Sequence, residues 1–286
     1  MSTPARGFTI NVFVPTGDPA GLRIVEKTNW TGKGLVCPRN DYATVRGRPE
    51  FKLAGVYVLV GRTSDGEADQ IYVGEGDPIG PRLDSHAKLK DFWNSVYCFV
   101  SKDSSLNKAH VQYLESRLVE LADEAKRSVV ENGNRPDRPT LAEATAAEAE
   151  VFLQDVLLCF PLMGLSVFSL AENLPKKTAT KLQLTTKGIT AYCNLTSEGF
   201  VVTKGSQAVL SAAPSTPQFV KTARESLLKR GVLIERGGLL VFEVPYTFDS
   251  ASTAAAVVMG RNANGLIEWR SPEGVTLKDL RQAGND

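Results

Sequence analysis

Residues 55–86 read GVYVLVGRTSDGEADQIYVGEGDPIGPRLDSH, and this stretch decides the fold of the first half of the chain. It opens with two runs rich in β-branched and aromatic residues, 55–61 and 70–76. The polar, glycine-containing residues 62–69 between them are typical of a hairpin loop joining antiparallel strands. Pro81 suits the first turn of a helix, and Leu83, Leu89 and Phe92 can share one helical face. The stretch therefore predicts a β-hairpin followed directly by a helix.

The flanking segments extend this pattern. Residues 95–103 (SVYCFVSKD) predict another strand, and residues 108–127 predict a longer helix with Asn107 as its N-cap. Residues 7–15 (GFTINVFVP) alternate as a short strand does and predict a β element at the start of the chain. The order β-β-α-β-α from residue 55 onward predicts a small α+β domain with a mainly antiparallel sheet.

The rest of the chain predicts a second domain. Residues 140–162 are rich in Ala and Glu and then strongly apolar, as expected for a helix that docks on a core. Beyond them lie short strands with glycine turns, a helix ending at Gly231 and a small-residue helix beginning at Asp249 or Ser250. We therefore divide the chain into an N-terminal β extension (1–50), a domain with a trailing helix (51–172), a linker (173–181) and a second α+β domain (182–286).

Composition bounds the class of protein. With 286 residues, 42% of them apolar, the chain is long enough for two domains with their own cores. No apolar run is long enough to cross a bilayer, and the first residues lack the apolar region of a secretory signal, so we expect a cytoplasmic protein with no membrane partner. The four cysteines show no CxxC or CxxH spacing, which argues against a zinc site and against a disulfide framework. Buried or idle thiols are the expectation.

Charge is unevenly distributed, although the net charge is only +1. Between Lys176 and Arg236 there are ten basic and three acidic residues, whereas residues 140–172 hold five carboxylates and no Lys or Arg. The basic stretch is compatible with a phosphate-facing surface and equally with a solvated basic face.

A constellation of polar residues carries the functional hypothesis. Gly55-Val56-Tyr57 and Tyr72-Val73-Gly74 lie on the paired strands, Arg82 and His86 lie on the next helix, and Glu115 lies on the later one. In order and placement these motifs resemble the GIY-YIG nuclease family, over residues 55–139. The resemblance implies a metal-dependent endonuclease with a GIY-YIG fold that hydrolyses DNA phosphodiester bonds, one strand per active site.

The chemistry of phosphodiester hydrolysis gives a reason for these residue types. A hard cation such as Mg²⁺ or Mn²⁺ can be held by one carboxylate together with water and phosphate oxygens, so Glu115 is the predicted metal ligand. Arg82 offers a fork of N–H donors for phosphate oxygens and lies one helical turn from His86. A free phenol is a poor base at neutral pH, but the resemblance implies that Tyr57 is the general base. Tyr72 and His86 then assist in positioning and in proton transfer.

The sequence also suggests substrate-binding residues and leaves alternative functions open. Lys108 is a predicted substrate-binding residue, and either Asn132 or Asn134 fits the Asn that the family often has after the Glu helix, with Asn134 preferred. Single-site cleavage implies a homodimer, or two binding events, for a double-strand cut. A non-cleaving nucleic-acid-binding or regulatory protein on the same scaffold is the alternative function. The glycines at 74, 76 and 80 fit a dinucleotide-binding pattern poorly.

The second domain resembles an uncharacterised domain that commonly follows GIY-YIG modules, on residues 197–208 and 250–269. Its helix carries Lys221, Arg224, Lys229 and Arg230, which is compatible with contact to a DNA backbone and equally with a dimerisation or protein-binding role. Phe248 and Trp269 are predicted core residues.

Overall fold

The computed structural model describes residues 7–169 and 180–283, apart from residues 65, 67, 187, 197 and 198. The chain divides into two compact units, residues 1–169 and residues 170–286. Over the described residues it contains eight α-helices and fourteen strands, which confirms the predicted α+β class. Within the same residues, no helix is both long enough and apolar enough to cross a membrane. Residues 173–179 of the predicted linker lie outside the described residues, and Thr180 and Lys181 begin a strand.

Within its described residues, the first unit contains seven strands, four helices and one 3-10 turn. Its elements are β1 (Ile10–Phe13), β2 (Arg23–Lys27), β3 (Gly32–Pro38), α1 (Arg39–Val45), the 3-10 turn (Pro49–Lys52), β4 (Gly55–Arg62), β5 (Asp69–Gly76), α2 (Gly80–Leu89), β6 (Trp93–Ser101), α3 (Lys108–Ala125), β7 (Ser128–Val130) and α4 (Glu143–Leu162). The predicted hairpin, its following helix and the later strand and helix are therefore all present.

These strands form one sheet in the order β1-β2-β3-β6-β4-β5-β7. All neighbours are antiparallel except β5 and β7, which are parallel. Residues 10–38 belong to this sheet because β3 pairs with β6 along its whole length. β7 pairs only with residues 69–71 of β5, which leaves residues 72–76 without a neighbouring strand on that side among the described residues.

Helices cover both faces of the sheet. One face packs on α3 and α4 through Val58, Phe99, Leu114 and Phe160, and the other packs on α1, α2 and the 3-10 turn. Alternation along β4 places Val56, Val58 and Val60 in the first core and Tyr57 and Leu59 in the second. Asn107 caps α3 as predicted, since its side chain accepts hydrogen bonds from the backbone N–H groups of Ala109 and His110.

The second unit contains two small sheets around a buried helix. Its elements are β8 (Thr180–Thr186), β9 (Ile189–Thr196), β10 (Gly199–Val202), β11 (Gln207–Ala208), α5 (Gln218–Lys229), β12 (Leu233–Arg236), β13 (Leu239–Phe242), β14 (Tyr246–Phe248), α6 (Ala251–Met259), α7 (Gly265–Glu268) and α8 (Leu277–Ala283). The sheets have the orders β14-β10-β9-β8 and β11-β13-β12.

The core of this unit explains its small-residue helix and its aromatic residues. Almost all of α6 is buried, and Ser250 caps it by accepting a hydrogen bond from the N–H of Thr253. Trp269 is fully buried and donates a hydrogen bond from its indole N–H to the carbonyl of Ala251 over 3.0 Å. Phe248 is buried in the same core. The prediction that both aromatic residues are core anchors is confirmed.

Arg224 changes the interpretation of the basic helix α5. Its side chain is only 4% exposed, and it donates hydrogen bonds to the backbone carbonyls of Val209, Leu210 and Val257. A guanidinium that is buried and donates three hydrogen bonds to backbone carbonyls holds the fold together and cannot face a phosphate. Of the four basic residues of this helix that were compatible with contact to a DNA backbone, Arg224 is therefore not available for it.

Candidate active site

Strands β4 and β5 bring the two predicted tyrosines together. In their antiparallel register Tyr57 lies opposite Gly74, and Leu59 lies opposite Tyr72. Because opposed residues point to the same side of a sheet, both tyrosines lie on the face that α2 covers. Their ring centroids are 6.5 Å apart. Tyr57 is fully buried and Tyr72 is half-buried.

Close packing explains why the hairpin has glycine two residues after Tyr72. A Cβ atom at Gly74 would overlap the Tyr57 hydroxyl oxygen, so the Tyr57 side chain occupies the space that any other residue would need. Gly76 and Gly80 are similarly restricted, because a Cβ atom there would lie 2.7 Å from the carbonyl oxygen of Pro78 and 2.8 Å from that of Phe51. All three glycines thus have a packing role in the hairpin and the start of α2.

Helix α2 adds Arg82 and His86 to the tyrosines. The His86 Nε2 atom lies 2.8 Å from the Tyr57 hydroxyl, and the His86 ring packs edge-on against Tyr72 with centroids 4.9 Å apart. Arg82 is exposed one turn earlier, and its charge acts on both phenols. Among the described residues no carboxylate lies within ion-pair distance of Arg82. Four of the five predicted residues therefore meet on one side of the sheet.

Burial controls the protonation of the Tyr57–His86 pair. Desolvation raises the pKa of Tyr57 far above its ordinary value, the neighbouring phenol of Tyr72 adds to this, and the charge of Arg82 opposes it. Desolvation, followed by the charges of Arg82 and Lys90, lowers the pKa of His86 to about 4. At neutral pH a neutral phenol therefore faces a neutral imidazole. The tautomer of His86 decides which of the two donates the hydrogen bond.

Glu115 lies on α3, which packs on the other face of the sheet from α2. Its charge raises the pKa of both Tyr57 and Tyr72. Burial, followed by the charge of Glu75, raises the pKa of Glu115 itself to about 7, against the effects of Arg82 and Lys108. Within the described part of the chain, no residue donates a hydrogen bond to this carboxylate or pairs with it. Glu115 is thus a half-buried acid without a partner.

Glu75 is a site residue that the sequence analysis did not select. It is 9% exposed, and both of its carboxylate oxygens accept hydrogen bonds from Lys108 Nζ, over 2.6 and 2.8 Å. Glu75 lies opposite Val56 on the face that packs on α3, where the strand pattern leads one to expect an apolar residue. The charged residue at this apolar strand position was the sequence signal that could have identified Glu75. Lys108, the predicted substrate contact, is therefore held by Glu75, although it is still 55% exposed.

Lys90 is a second residue that the sequence analysis missed. It follows the last residue of α2, and its Nζ atom lies 4.5 Å from the ring centroid of Tyr72. Its charge also lowers the pKa of His86. A lysine after a helix is common in any protein, so its position in the sequence carries no functional signal. The site thus contains Arg82, Lys90 and Lys108 as cations around the tyrosines and Glu115.

The two candidate asparagines have different environments. The Asn132 side chain accepts a hydrogen bond from the backbone N–H of Val73 over 3.0 Å and donates one to the carbonyl of Val73 over 2.8 Å. It thereby continues the ladder at the edge of β5 where β7 has ended. Asn134 is exposed and makes no side-chain hydrogen bond within the described residues. The contact with the hairpin belongs to Asn132, and the preferred Asn134 lies away from it.

Comparison with known proteins bears on the second unit. Residues 182–281 match a family model described as a domain of unknown function, DUF4357. The five candidate site residues lie outside the matched segment. No curated protein matches the chain, and no solved structure does.

Proposed function

We propose that this chain is a metal-dependent endonuclease of the GIY-YIG type that hydrolyses DNA phosphodiester bonds, one strand per active site. The observation that carries the proposal is the 2.8 Å hydrogen bond between Tyr57 and His86, beside Arg82, Tyr72 and an unpartnered Glu115. Tyrosine, histidine, arginine and glutamate together can transfer a proton, bind a phosphate and hold a hard cation. A purely structural cluster would leave no such carboxylate uncompensated.

The donor chemistry of the site fits Mg²⁺ or Mn²⁺. Among the described residues there is no group of three or more His, Cys, Asp or Glu side chains that could hold a metal ion. Mg²⁺, however, usually binds through one or two carboxylates, with water and phosphate oxygens completing its shell. Glu115 would hold the cation, and a cation would relieve the burial and repulsion that raise its pKa. Bound there, the metal supplies positive charge for the phosphate and lowers the pKa of the attacking water.

Arg82 is the proposed phosphate ligand. Its guanidinium is exposed, lies within hydrogen-bonding reach of the Tyr57 and Tyr72 hydroxyls and has no carboxylate partner in the described structure, so its remaining donors are available to non-bridging phosphate oxygens. The extra charge that develops on those oxygens during hydrolysis strengthens such contacts in the transition state. Lys90 and Lys108 add positive charge around the same space and favour the binding of a polyanion.

Tyr57 and His86 form the proposed proton-transfer pair. Because the pKa of Tyr57 is strongly raised, the phenol cannot serve as a preformed phenolate at neutral pH. It can accept a proton from the attacking water while it passes its own proton to His86 Nε2. A bound phosphate would neutralise Arg82 and Lys90, whose charges help to lower the pKa of His86, and would make the imidazole a better acceptor. Tyr72 packs against His86 and positions its ring.

The experiment that tests this function is a panel of DNA substrates in supercoiled, branched and single-stranded form, titrated with Mg²⁺ and Mn²⁺. We expect nicking of at least one substrate by the wild type. Tyr57→Phe keeps the ring and removes the hydroxyl that bonds to His86, so it should reduce the rate strongly, whereas Tyr72→Phe should reduce it less. Binding without cleavage under every metal and substrate condition would contradict the proposal and favour a non-cleaving DNA-binding protein.

A further inference from the structure

The second unit has a polar sheet face that crosses three extended segments, β8, β9 and the residues around Arg270, and ends at β10, where Val201 opposite Asn194 is buried. In β8 and β9 the register pairs Lys181 with Asn194 and Gln183 with Tyr192. The intervening residues Leu182 and Cys193 are buried in the core of the unit. Opposed residues share a side of the sheet, so these four side chains lie on the face turned away from the core. We call this the outer face.

Arg270 extends the outer face beyond β8. Its backbone N–H donates to the carbonyl of Gln183 over 2.9 Å, and its carbonyl accepts from the N–H of Gln183 over 2.7 Å. The two residues form an antiparallel bridge, so the Arg270 side chain points to the same side as Gln183. Arg270, Gln183 and Tyr192 thus form a row across the sheet, with about 10 Å between the Cα atoms at its ends.

Tyr192 differs from most aromatic residues of this unit. Its side chain is 53% exposed, as is that of Phe219 on α5 at 55%, whereas Phe200, Phe242, Phe248 and Trp269 are buried in the core. Neither its ring nor its hydroxyl contacts another aromatic, a cation or a hydrogen-bond partner among the described residues. Ser206 and Thr203 hold only its backbone, so the strand is fixed and the ring is presented to solvent. A rigidly mounted and unpartnered aromatic ring is a surface on which a flat apolar group can stack.

The charges around Tyr192 point to a negatively charged partner. Arg270 is exposed at one end of the row, and Lys181 is exposed two residues before Gln183 on β8. Arg270 uses one of its nitrogen atoms to donate to the carbonyl of Gly274. None of the described residues that the β8–β9 register assigns to this face is acidic. Gln183 and Asn194 supply amides that can donate and accept hydrogen bonds. Cations, amides and one exposed ring on a flat sheet suit a chain that alternates phosphates with aromatic bases.

We propose that the outer face binds single-stranded DNA, with one base stacked on Tyr192 and backbone phosphates bound by Lys181 and Arg270. A duplex keeps its bases stacked inside and offers no base for the ring, so the face should discriminate against duplex DNA. The choice of DNA as the ligand rests on the proposed function. In this proposal the second unit binds an unpaired strand of the substrate.

The test measures binding of the full chain to a labelled oligodeoxythymidylate of about 20 nucleotides by fluorescence anisotropy, without metal. Tyr192→Ala should weaken binding at least about fivefold, because stacking on an aromatic residue makes a large contribution per base. Tyr192→Phe keeps the ring and should bind like the wild type. Phe219→Ala is the matched control, since Phe219 is 55% exposed in the same unit but lies on α5, and it should leave binding unchanged.

Two further measurements address charge and location. Lys181→Gln combined with Arg270→Gln should reduce the slope of log affinity against log salt by about 0.7 for each phosphate that the double variant no longer binds. With bromodeoxyuridine in the oligonucleotide, photocrosslinks should map to residues 189–196, a result that does not depend on any variant being folded. Equal affinity of wild type and Tyr192→Ala, crosslinks confined to other segments, or equal binding of duplex would each overturn the inference.

The outcome is separable from that of the proposed function. If the outer face is wrong but the nuclease is right, the Tyr192→Ala chain still cleaves with unchanged affinity for DNA. If the nuclease is wrong but the face is right, Tyr192→Ala loses affinity in a chain that cleaves nothing. If both are right, Tyr192→Ala raises KM for a substrate with an unpaired strand and leaves kcat unchanged.

Discussion

Arg82 in the first unit and Arg224 in the second are both charged side chains close to a packed core. They differ in the partners that surround the guanidinium group. Arg224 is buried, and three backbone carbonyls accept its hydrogen bonds. Arg82 is exposed beside two phenols and has no carboxylate within ion-pair distance among the described residues. The same contrast separates Glu75, which Lys108 pairs with, from Glu115, which no described residue pairs with. Charged groups whose charge is fully compensated hold a fold, whereas a charged group with no opposite charge within reach can bind a charged ligand.

The largest effect expected from the contrast between the two arginines is on the rate of DNA cleavage. Arg82→Ala should lower the single-turnover rate of plasmid nicking on the order of 10³-fold, because it removes the donors aimed at the transition-state charge. Its free energy of unfolding should change little, since Arg82 is exposed. Arg62→Ala is the control at the other end of the hairpin, with a side chain that is 63% exposed, and should cleave normally. Equal reductions in both variants would show that Arg82 has no special role.

The converse result is expected for Arg224. Arg224→Ala leaves three buried carbonyls without a donor and should lower the free energy of unfolding by about 3 kcal/mol. At temperatures where the variant remains folded, its rate of phosphodiester cleavage should equal that of the wild type. Lys229→Ala, on the exposed side of the same helix, should change stability by less than about 0.5 kcal/mol. Urea denaturation of the three proteins measures this, and a stable Arg224→Ala variant would break the comparison.

Most substitutions lower the free energy of unfolding, but a substitution of Glu115 should raise it at high pH. Its pKa in the folded chain is about 7 against an ordinary 4.5, so folding favours its protonated form. The stabilising contribution of the proton is complete below pH 4.5 and is lost as the pH rises through 7. Without metal, Glu115→Gln should therefore be more stable than the wild type at pH 8, by about 1 kcal/mol after allowance for solvent screening. The advantage should vanish below pH 4.5, and a difference independent of pH would contradict it.

The smallest effect separates the two asparagines. Asn132→Ala removes two hydrogen bonds to Val73 and should lower the free energy of unfolding by about 1 kcal/mol. Asn134→Ala should have no measurable effect on stability, because its side chain bonds to no described residue. Thermal denaturation of both variants gives the comparison. Similar destabilisation of the two would show that Asn132 does not stabilise the edge of β5.

The fold of the hairpin region could be predicted from the sequence because local patterns determine it. Alternation along residues 55–61 and 70–76, the Pro81 helix start and the Asn107 cap each act over a few residues, and all are present in the structure. The pairing of β3 with β6 could not be predicted in this way. It joins residues that are 57 to 69 positions apart, and no local pattern specifies which strand a distant segment will meet.

The candidate site likewise contains residues that local motifs identify and residues that only distant contacts identify. The family resemblance selected Tyr57, Tyr72, Arg82, His86 and Glu115, and the structure brings the first four together on one side of the sheet. Glu75 and Lys90 were missed because their roles depend on partners far along the chain, Lys108 and Tyr72. Arg224 was misjudged for the converse reason. In the sequence it looks like any other helical arginine, and only its bonds to the distant carbonyls of Val209 and Val257 show that it belongs to the interior.

The central claim is that Glu115 is unpartnered because it holds a catalytic metal. The most direct measurement is the single-turnover rate of plasmid nicking in Mg²⁺ at pH 8 for the wild type, Glu115→Gln and Glu124→Gln, an exposed position on the same helix. We predict rapid nicking by the wild type and by Glu124→Gln, and none above background by a fully folded Glu115→Gln. Equal rates for all three proteins would contradict the account.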